Sequence, residues 1–478
     1  MDKEKIDIGG RREFFWDDYM VDTARTTAEF RLHKPVKKEM VMELNMPWEG
    51  DGCDYFNIMN DDGLYRMYYL GWWMINPGEK EHTGSDIKVC YAESRDGIHW
   101  TRPSLNIVEW QGSTENNIIL GHETDIYDNF FAFKDLNPAC KPEEKYKGVA
   151  ESGRDGTLWG YTSADAVHWD KVKEISRKGK FDSLNCAFWD KASGKYYCYI
   201  RDFHDNEEID AYAIRDIRYI TSDDFWNWSD PVMLDFCGGA DYPLYTNNVS
   251  PYYRAPHILT GFPTRYVQRY GWTKNTDRLC GAERRKLRCE LEERLGMTVT
   301  DAVFMCSRDG EHWHRYDEAW LTPGPEHEYN WVYGDCYPAL GMIQTASEYE
   351  GADDVISMYN FEGKWSAKPS KLYRYEVRLD GFASLYGRYP GQTVVTKPFT
   401  FKGSALKVNF ASSARGGMYV KVLDEDCNVI PGFESCEIYG DRVDRQIDFD
   451  GDLSALAGKT VRLQFELSDC NIYSFIFE

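Results

Sequence analysis

An all-β protein is predicted, built as a five-bladed β-propeller with a C-terminal, jelly-roll-like β-sandwich and one helical insertion in blade four. Three observations carry this. The pattern Ser-x-Asp-x-x-x-Trp occurs four times along the chain, each copy preceded by strand-like runs, and after residue 385 the sequence changes to short alternating strands.

The repeat comes first because it sets the architecture. Ser94-Arg-Asp-Gly-Ile-His-Trp100 returns as Ser163-Ala-Asp-Ala-Val-His-Trp169, as Ser222-Asp-Asp-Phe-Trp-Asn-Trp228 and as Ser307-Arg-Asp-Gly-Glu-His-Trp313. Ser and Asp side chains can bond backbone N–H groups of a tight turn, and the Trp can pin that turn to the blade. Asp96, Asp165, Asp224 and Asp309 are therefore read as structural residues. The spacing of the copies leaves room for four strands per blade. Polar turns such as Asn60-Asp-Asp-Gly63 and Asp190-Lys-Ala-Ser-Gly194 mark hairpins within them. A fifth unit without the motif spans Ala339–Gln344, Val355–Tyr359 and Leu372–Val377, and Glu13–Trp16 is expected to close the ring.

Blade four holds the insertion, about 277–296. Leu287, Leu291 and Leu295 fall four residues apart and Gly296 is a plausible stop, so one amphipathic helix is expected, packed on the rim or on a second copy in a homo-oligomer. Residues 1–385 are thus assigned to the propeller and 386–478 to the sandwich.

Composition narrows the partners. The chain has 56 basic and 79 acidic side chains, a net charge of −23, which disfavours nucleic acid. No apolar run is long enough to span a bilayer, and no basic amphipathic stretch suggests a membrane surface. Thirteen cysteines stand singly without zinc spacing, and the first twelve residues are charged. Together these predict a reduced, cytoplasmic protein with no metal and no cofactor. Aromatic residues make up 15%, including 33 Tyr and 16 Trp, which serves strand packing and also suits a carbohydrate partner. There is no GxSxG elbow, phosphate-binding GxxxxGK[ST] loop or HExxH helix.

Residues just before each innermost propeller strand surround the central funnel. Those positions are Asp54, Asp128 (followed by Asn129), Asp182, the pair Asn247 and Asn248, and Asp335. Four of five carry a carboxylate. Asp is also common in turns, but convergent acids are what glycosidic cleavage needs: one protonated to assist the leaving group, one ionised as nucleophile or base. The expected roles are Asp54 as nucleophile or base, Asp182 as acid, and Asp128 as tuner of pKa and holder of a hydroxyl. Glu49, beside a candidate sugar platform at Trp48, is a rival in blade one. Arg201, Arg254, His257, Trp331 and Tyr337 complete the expected substrate contacts.

The turns Ser-x-Asp-Gly-x-x-Trp, the strand Tyr65-Arg-Met-Tyr-Tyr69 and the junction Arg378-Leu-Asp-Gly-Phe382 resemble bacterial family 32-like glycosyl hydrolases of the five-bladed furanosidase superfamily, similar to families 32, 43, 68 and 117. The resemblance covers nearly the whole chain and implies a carboxylate site with acids from the first three blades. It does not imply action on fructans. The Trp-Met-Asn-Asp-Pro-Asn-Gly signature of invertase-type enzymes is replaced by Trp48-Glu-Gly-Asp-Gly-Cys-Asp54, and Phe181-Asp-Ser183 stands where a Glu-Cys pair is expected. The functional expectation is a glycoside hydrolase acting on a small oligosaccharide or terminal glycosyl unit, such as a furanosyl. Other readings are a glycoside phosphorylase, with Arg201, Arg254 and His257 holding phosphate, a sialidase-like enzyme, and a non-catalytic carbohydrate-binding propeller.

Overall fold

The computed structural model describes residues 6–75, 84–121, 127–152, 156–205 and 213–478. Five four-stranded antiparallel sheets follow one another as blades. Blade one runs Asn57–Asp61, Leu64–Gly71, Lys88–Ser94 and Ile118–Leu120 from the axis outward; blade two starts at Tyr127–Lys134 and blade three at Cys186–Asp190. Blade four starts at Ser250–Tyr252 and carries an extra hairpin, Thr264–Gln268 with Thr298–Ala302. Blade five is Ile343–Thr345, Val355–Glu362 and Lys371–Arg378, completed by Val36–Glu43 from the N-terminal part of the chain.

That last pairing corrects the expected closure. Glu13–Phe14 does not join the ring; it pairs with Arg462–Phe477 in the C-terminal sheet. The reason lies in Trp16. Its ring is buried against Phe14, Tyr252, Phe304 and Phe382, and its Nε1 donates to the Asp380 carbonyl at 2.9 Å, so this segment is a plug between ring and sheet.

The four Ser-x-Asp turns share one geometry. Asp96 Oδ1 accepts from the backbone N–H groups of Ile98 and His99, both at 2.8 Å, Ser94 Oγ accepts from Gly97 N at 2.9 Å, and Trp100 Nε1 donates back to Gly97 O. Gly97, Ala166, Phe225 and Gly310 all take φ between 68° and 84°, the left-handed region. Three turns also latch adjacent blades. Tyr359 of blade five donates to Gly97 O, Tyr68 of blade one to Ala166 O at 2.8 Å, and Tyr199 of blade three to Gly310 O at 2.9 Å.

The C-terminal sheet has eight strands, two of them long: Leu406–Leu423 and Arg462–Phe477. Their pairing slips between Ser412 and Gly417, so one half pairs with Asp441–Ile447 and the other with Val429–Glu434. Both halves feed one apolar cluster, with Val408, Phe410 and Phe475 from one and Val420, Leu463 and Phe465 from the other. The sheet thus bends over a single core.

The insertion also departs from expectation. It is two helices, α1 (Ala282–Leu291) and α2 (Glu293–Met297), separated by the extended residue Glu292. In α1 the buried side chains are arginines: Arg285 and Arg288 face inward, whereas Leu287 and Leu291 are 42% and 50% exposed; in α2 Met297 is buried. The leucine spacing described a helix correctly but chose the wrong face of α1; Leu295, in α2, is half-buried against the core cluster that includes Tyr266 and Tyr333. Backbone carbonyls of two strained loops offer the arginines partners that an apolar face could not satisfy. Arg285 donates to Trp331 O, and Arg288 donates to Lys364 O and Trp365 O at 2.8 and 2.7 Å. Trp331 and Trp365 themselves have φ of 59° and 53°.

Candidate active site in the propeller funnel

Inner strands begin at the funnel mouth, and the chain reaches them through strained turns. Tyr55, Asn129, Asn248 and Cys336 each adopt φ between 49° and 57°, in blades one, two, four and five. Such conformations cost on the order of 1 kcal/mol or more for a non-glycine residue and cluster where side-chain direction matters. In blade two the consequence is visible in the register. Val149 pairs with Phe131 and Glu151 with Asp128, so an extra residue bulges out at Asn129–Phe130 and re-aims Asp128.

Asp54, Asp128 and Asp182 share one electrostatic environment. Burial, followed by the negative charges of Glu151, Asp54 and Asp182, pushes the Asp128 carboxyl up to about 8, opposed by Lys364. Glu151 is its cross-strand partner. Asp54 is 2% exposed; burial raises its carboxyl and the Lys364 ammonium, 2.7 Å from Oδ2, pulls it back. Its other oxygen, Oδ1, meets no hydrogen-bond donor among the described residues. Asp182 is more open and is bridged by Arg201 Nη2.

Aromatic rings wall the site. Tyr245 stacks on Tyr337 at 5.5 Å and meets Tyr333 edge-on at 5.7 Å, and Tyr55 lies 6.1 Å from Tyr337. Lys364 sits over Tyr337 and Tyr333, at 4.7 and 5.3 Å from their centroids, and is held there because Arg288 fixes its carbonyl. Asn129 is fully buried and neither end of its amide finds a partner among the described residues; Asn248 Oδ1 is likewise unpartnered, while its amide nitrogen donates to Pro338 O. These atoms are suited to sugar hydroxyls. Among the described residues no three His, Cys, Asp or Glu side chains converge as metal ligands.

Other residues singled out in the sequence are occupied elsewhere. Glu49 is buried and saturated by Tyr69 Oη, Arg102 Nη1 and Met46 N, at 2.6, 2.6 and 2.9 Å. Trp48 anchors the same loop by donating to Asn117 Oδ1 at 2.7 Å. Asp335 is buried and accepts from Val332 N at 2.8 Å; burial lifts it to about 7, with Arg288 opposing, so it faces α1 and not the three acids. Asn247 is satisfied by the carbonyls of Leu184 and Tyr199, at 3.0 and 3.1 Å. Trp331 donates to Gly324 O at 2.9 Å. Arg254 and His257 leave the funnel altogether. Arg254 Nε lies 2.9 Å from Asp380, and His257 Nε2 lies 3.4 Å from Glu13, both on the side of the C-terminal sheet.

Lys364 and Glu151 were missed, although a rule for them existed. The second strand of a blade runs antiparallel to the first and returns to the same rim. Tyr146–Ser152 therefore ends with Glu151 at the mouth, Lys195–His204 brings Arg201 there, and Val355–Glu362 delivers Lys364 just beyond its end.

No protein-family model matches the chain. Two Mycobacterium tuberculosis proteins, uncharacterized protein MT1551 of strain CDC 1551 and uncharacterized protein Rv1502 of strain H37Rv, are each 26% identical to it over 128 residues. That match covers 26% of this chain and 35% of either relative, so the chain spans about a third of their length. Among solved structures it is similar to an N-acetylgalactosamine deacetylase from F. plautii in complex with blood group B trisaccharide, at 10% identity and TM-score 0.42, over 72% of this chain and 95% of that one. It is similar to a structure from the GH130 family of mannoside phosphorylases, which contains hydrolases that target β-1,2-mannosidic linkages in Candida mannan, at 15% identity and TM-score 0.41, over 74% and 96%. A third likeness is to the Bombyx mori GH32 β-fructofuranosidase BmSUC1, at 9% identity and TM-score 0.40, over 94% of both chains. The assignment of chemistry rests on the side chains of the funnel.

Proposed function

We propose that this protein is a glycoside hydrolase that cleaves a short oligosaccharide or a terminal glycosyl unit, furanosyl units included, in the propeller funnel. The observation that carries the reading is the Asp128 carboxyl, pushed up to about 8 by burial and by the charges of Glu151, Asp54 and Asp182. A carboxyl in that range holds its proton at neutral pH and can give it to a leaving oxygen. Asp54, paired with Lys364, is the complementary ionised group and serves as nucleophile or base. Asp182, already engaged by Arg201, holds substrate. The roles of Asp128 and Asp182 are thus exchanged relative to the sequence reading. The aromatic wall supplies flat faces for the sugar, and the Asn129 amide and Asn248 Oδ1, unpartnered among the described residues, supply polar contacts.

The test is turnover of a panel of aryl furanosides and pyranosides, with paired good and poor leaving groups. Wild type should hydrolyse one glycone. Asp128→Asn should lose about 10²–10⁴-fold on the poor leaving group and far less on the good one, which needs little protonation. If Asp182→Asn shows that signature instead, the acid has been misassigned. A wild type that binds sugars and turns over none of them would make this a binding propeller.

A further inference from the structure

Beside the funnel, between blades three and four, lies a cleft of about 400 Å³ lined by Arg215, Tyr242, Arg265, Tyr266 and Tyr270. Its polar groups differ in one respect. Arg265 is committed to Asp301 through two hydrogen bonds, at 2.7 and 2.6 Å, and Tyr242 Oη donates to Asp317 at 2.8 Å. Arg215 is committed to nothing: it is 5% exposed, its Nε is buried without an acceptor, and its guanidinium makes no hydrogen bond or ion pair with any described residue. Among the described residues it is held by rings, 4.2 Å from the centroid of Tyr266 and 5.2 Å from that of Phe203.

A guanidinium that is buried and, among the described residues, unpaired is costly. The same rings tie it to the site. Arg201, which bridges Asp182, stacks on Phe203 at 5.2 Å and on Tyr245 at 4.9 Å; Arg215 lies 5.8 Å from that same Tyr245. The cleft is therefore one arginine away from a funnel carboxylate.

We propose that Arg215 forms an oxyanion subsite, taking a carboxylate or phosphate group that sits next to the sugar being processed. A planar guanidinium presents paired donors to either group, and the tyrosines around it offer faces to an attached ring. The sugar part of this statement rests on the function proposed above; the anion part does not. The anion arrives either as part of an acidic glycoside, such as a uronic acid, or as free phosphate for a phosphorolytic cleavage.

Calorimetric titration of the full-length protein with galacturonic acid, inorganic phosphate and galactose separates these sources. At least one anion should bind, and Arg215→Gln should weaken it by about tenfold or more while leaving galactose unaffected. Galacturonate binding without phosphate binding identifies an acidic substrate; the reverse identifies phosphate as co-substrate. Asp128→Asn should bind the same anion as wild type while losing turnover, so failure of the catalytic assignment is visible independently. The rise of the wild-type melting temperature with each anion is a second measurement that needs no variant. The proposal is overturned if wild type binds neither anion, or if Arg215→Gln binds it unchanged.

Discussion

Two sets of aspartates in this propeller have the same chemical group and opposite fates. At the outer turns, Asp96, Asp165 and Asp224 accept two backbone N–H bonds each and a third bond from the side chain three residues on, which holds their carboxyls below the ordinary range, to about 2 for Asp165 and Asp224. In the funnel, Asp54 is buried and Asp128 half-buried, with few donors and with like charges around Asp128, which rises to about 8. Satisfaction by the backbone makes an acid into a fastener; withholding it leaves an acid with a proton to exchange. Position in the blade, and not residue type, decides which.

The largest effect expected from breaking this contrast is kinetic. Asp128→Asn should cut turnover of a poor-leaving-group glycoside by about 10²–10⁴-fold. It should not lower the melting temperature, because it removes a group whose ionised form the fold disfavours. The outer aspartates should behave in the reverse way, with turnover intact and stability reduced.

Next in size is the loss of Lys364. Lys364→Met leaves Asp54 buried without its countercharge, and breaking such a pair costs about 3–5 kcal/mol. Equilibrium denaturation of Lys364→Met, Asp54→Asn and the double variant checks this. The double variant should recover most of the loss, since no unpaired charge remains. A simple sum of the two single losses would mean that the pair does not hold the site together.

Lys364 also shows where sequence reading stops. The blades were legible because the Ser-x-Asp turns depend on bonds within seven residues, and local bonds leave local patterns. The funnel acids were legible at one remove, from their place before inner strands. The return of the second strand could have placed Lys364 at the rim but not revealed its role, which arises from contacts with Asp54 and with Arg288 of α1, distant in sequence and adjacent only in the ring. Arg254 and His257 failed for the same reason in reverse. Their run looked polar enough for a funnel, but its polarity serves Asp380 and Glu13 across the plug. Glu49 beside Trp48 looked like a site, and only the positions of Tyr69 and Arg102 reveal that it is saturated.

A smaller effect should follow from opening one outer turn. Asp165→Ala removes an acceptor of the Val167 and His168 N–H groups, at 2.9 and 2.8 Å, but the turn is half exposed and water replaces part of the loss. About 1 kcal/mol is expected by thermal or denaturant unfolding, with unchanged turnover.

The finest distinction between the two sets lies in pH. Asp128 in the folded chain binds its proton up to about 8, against an ordinary value of 3.8, so between those values the native state holds a proton that the unfolded state has released. Its contribution to stability therefore falls as pH rises through that window. Asp165 does the opposite: its contribution is present above 3.8 and is lost as pH falls toward about 2. Glu151→Gln sharpens the contrast without touching a reacting group. It removes the strongest of the negative charges that oppose ionisation of Asp128, so the carboxyl should titrate lower, and the alkaline limb of kcat/KM should move to lower pH than in wild type. The acid-side loss of stability from the outer turns should stay where it was. An alkaline limb unmoved by Glu151→Gln would mean that a group other than Asp128 supplies the proton.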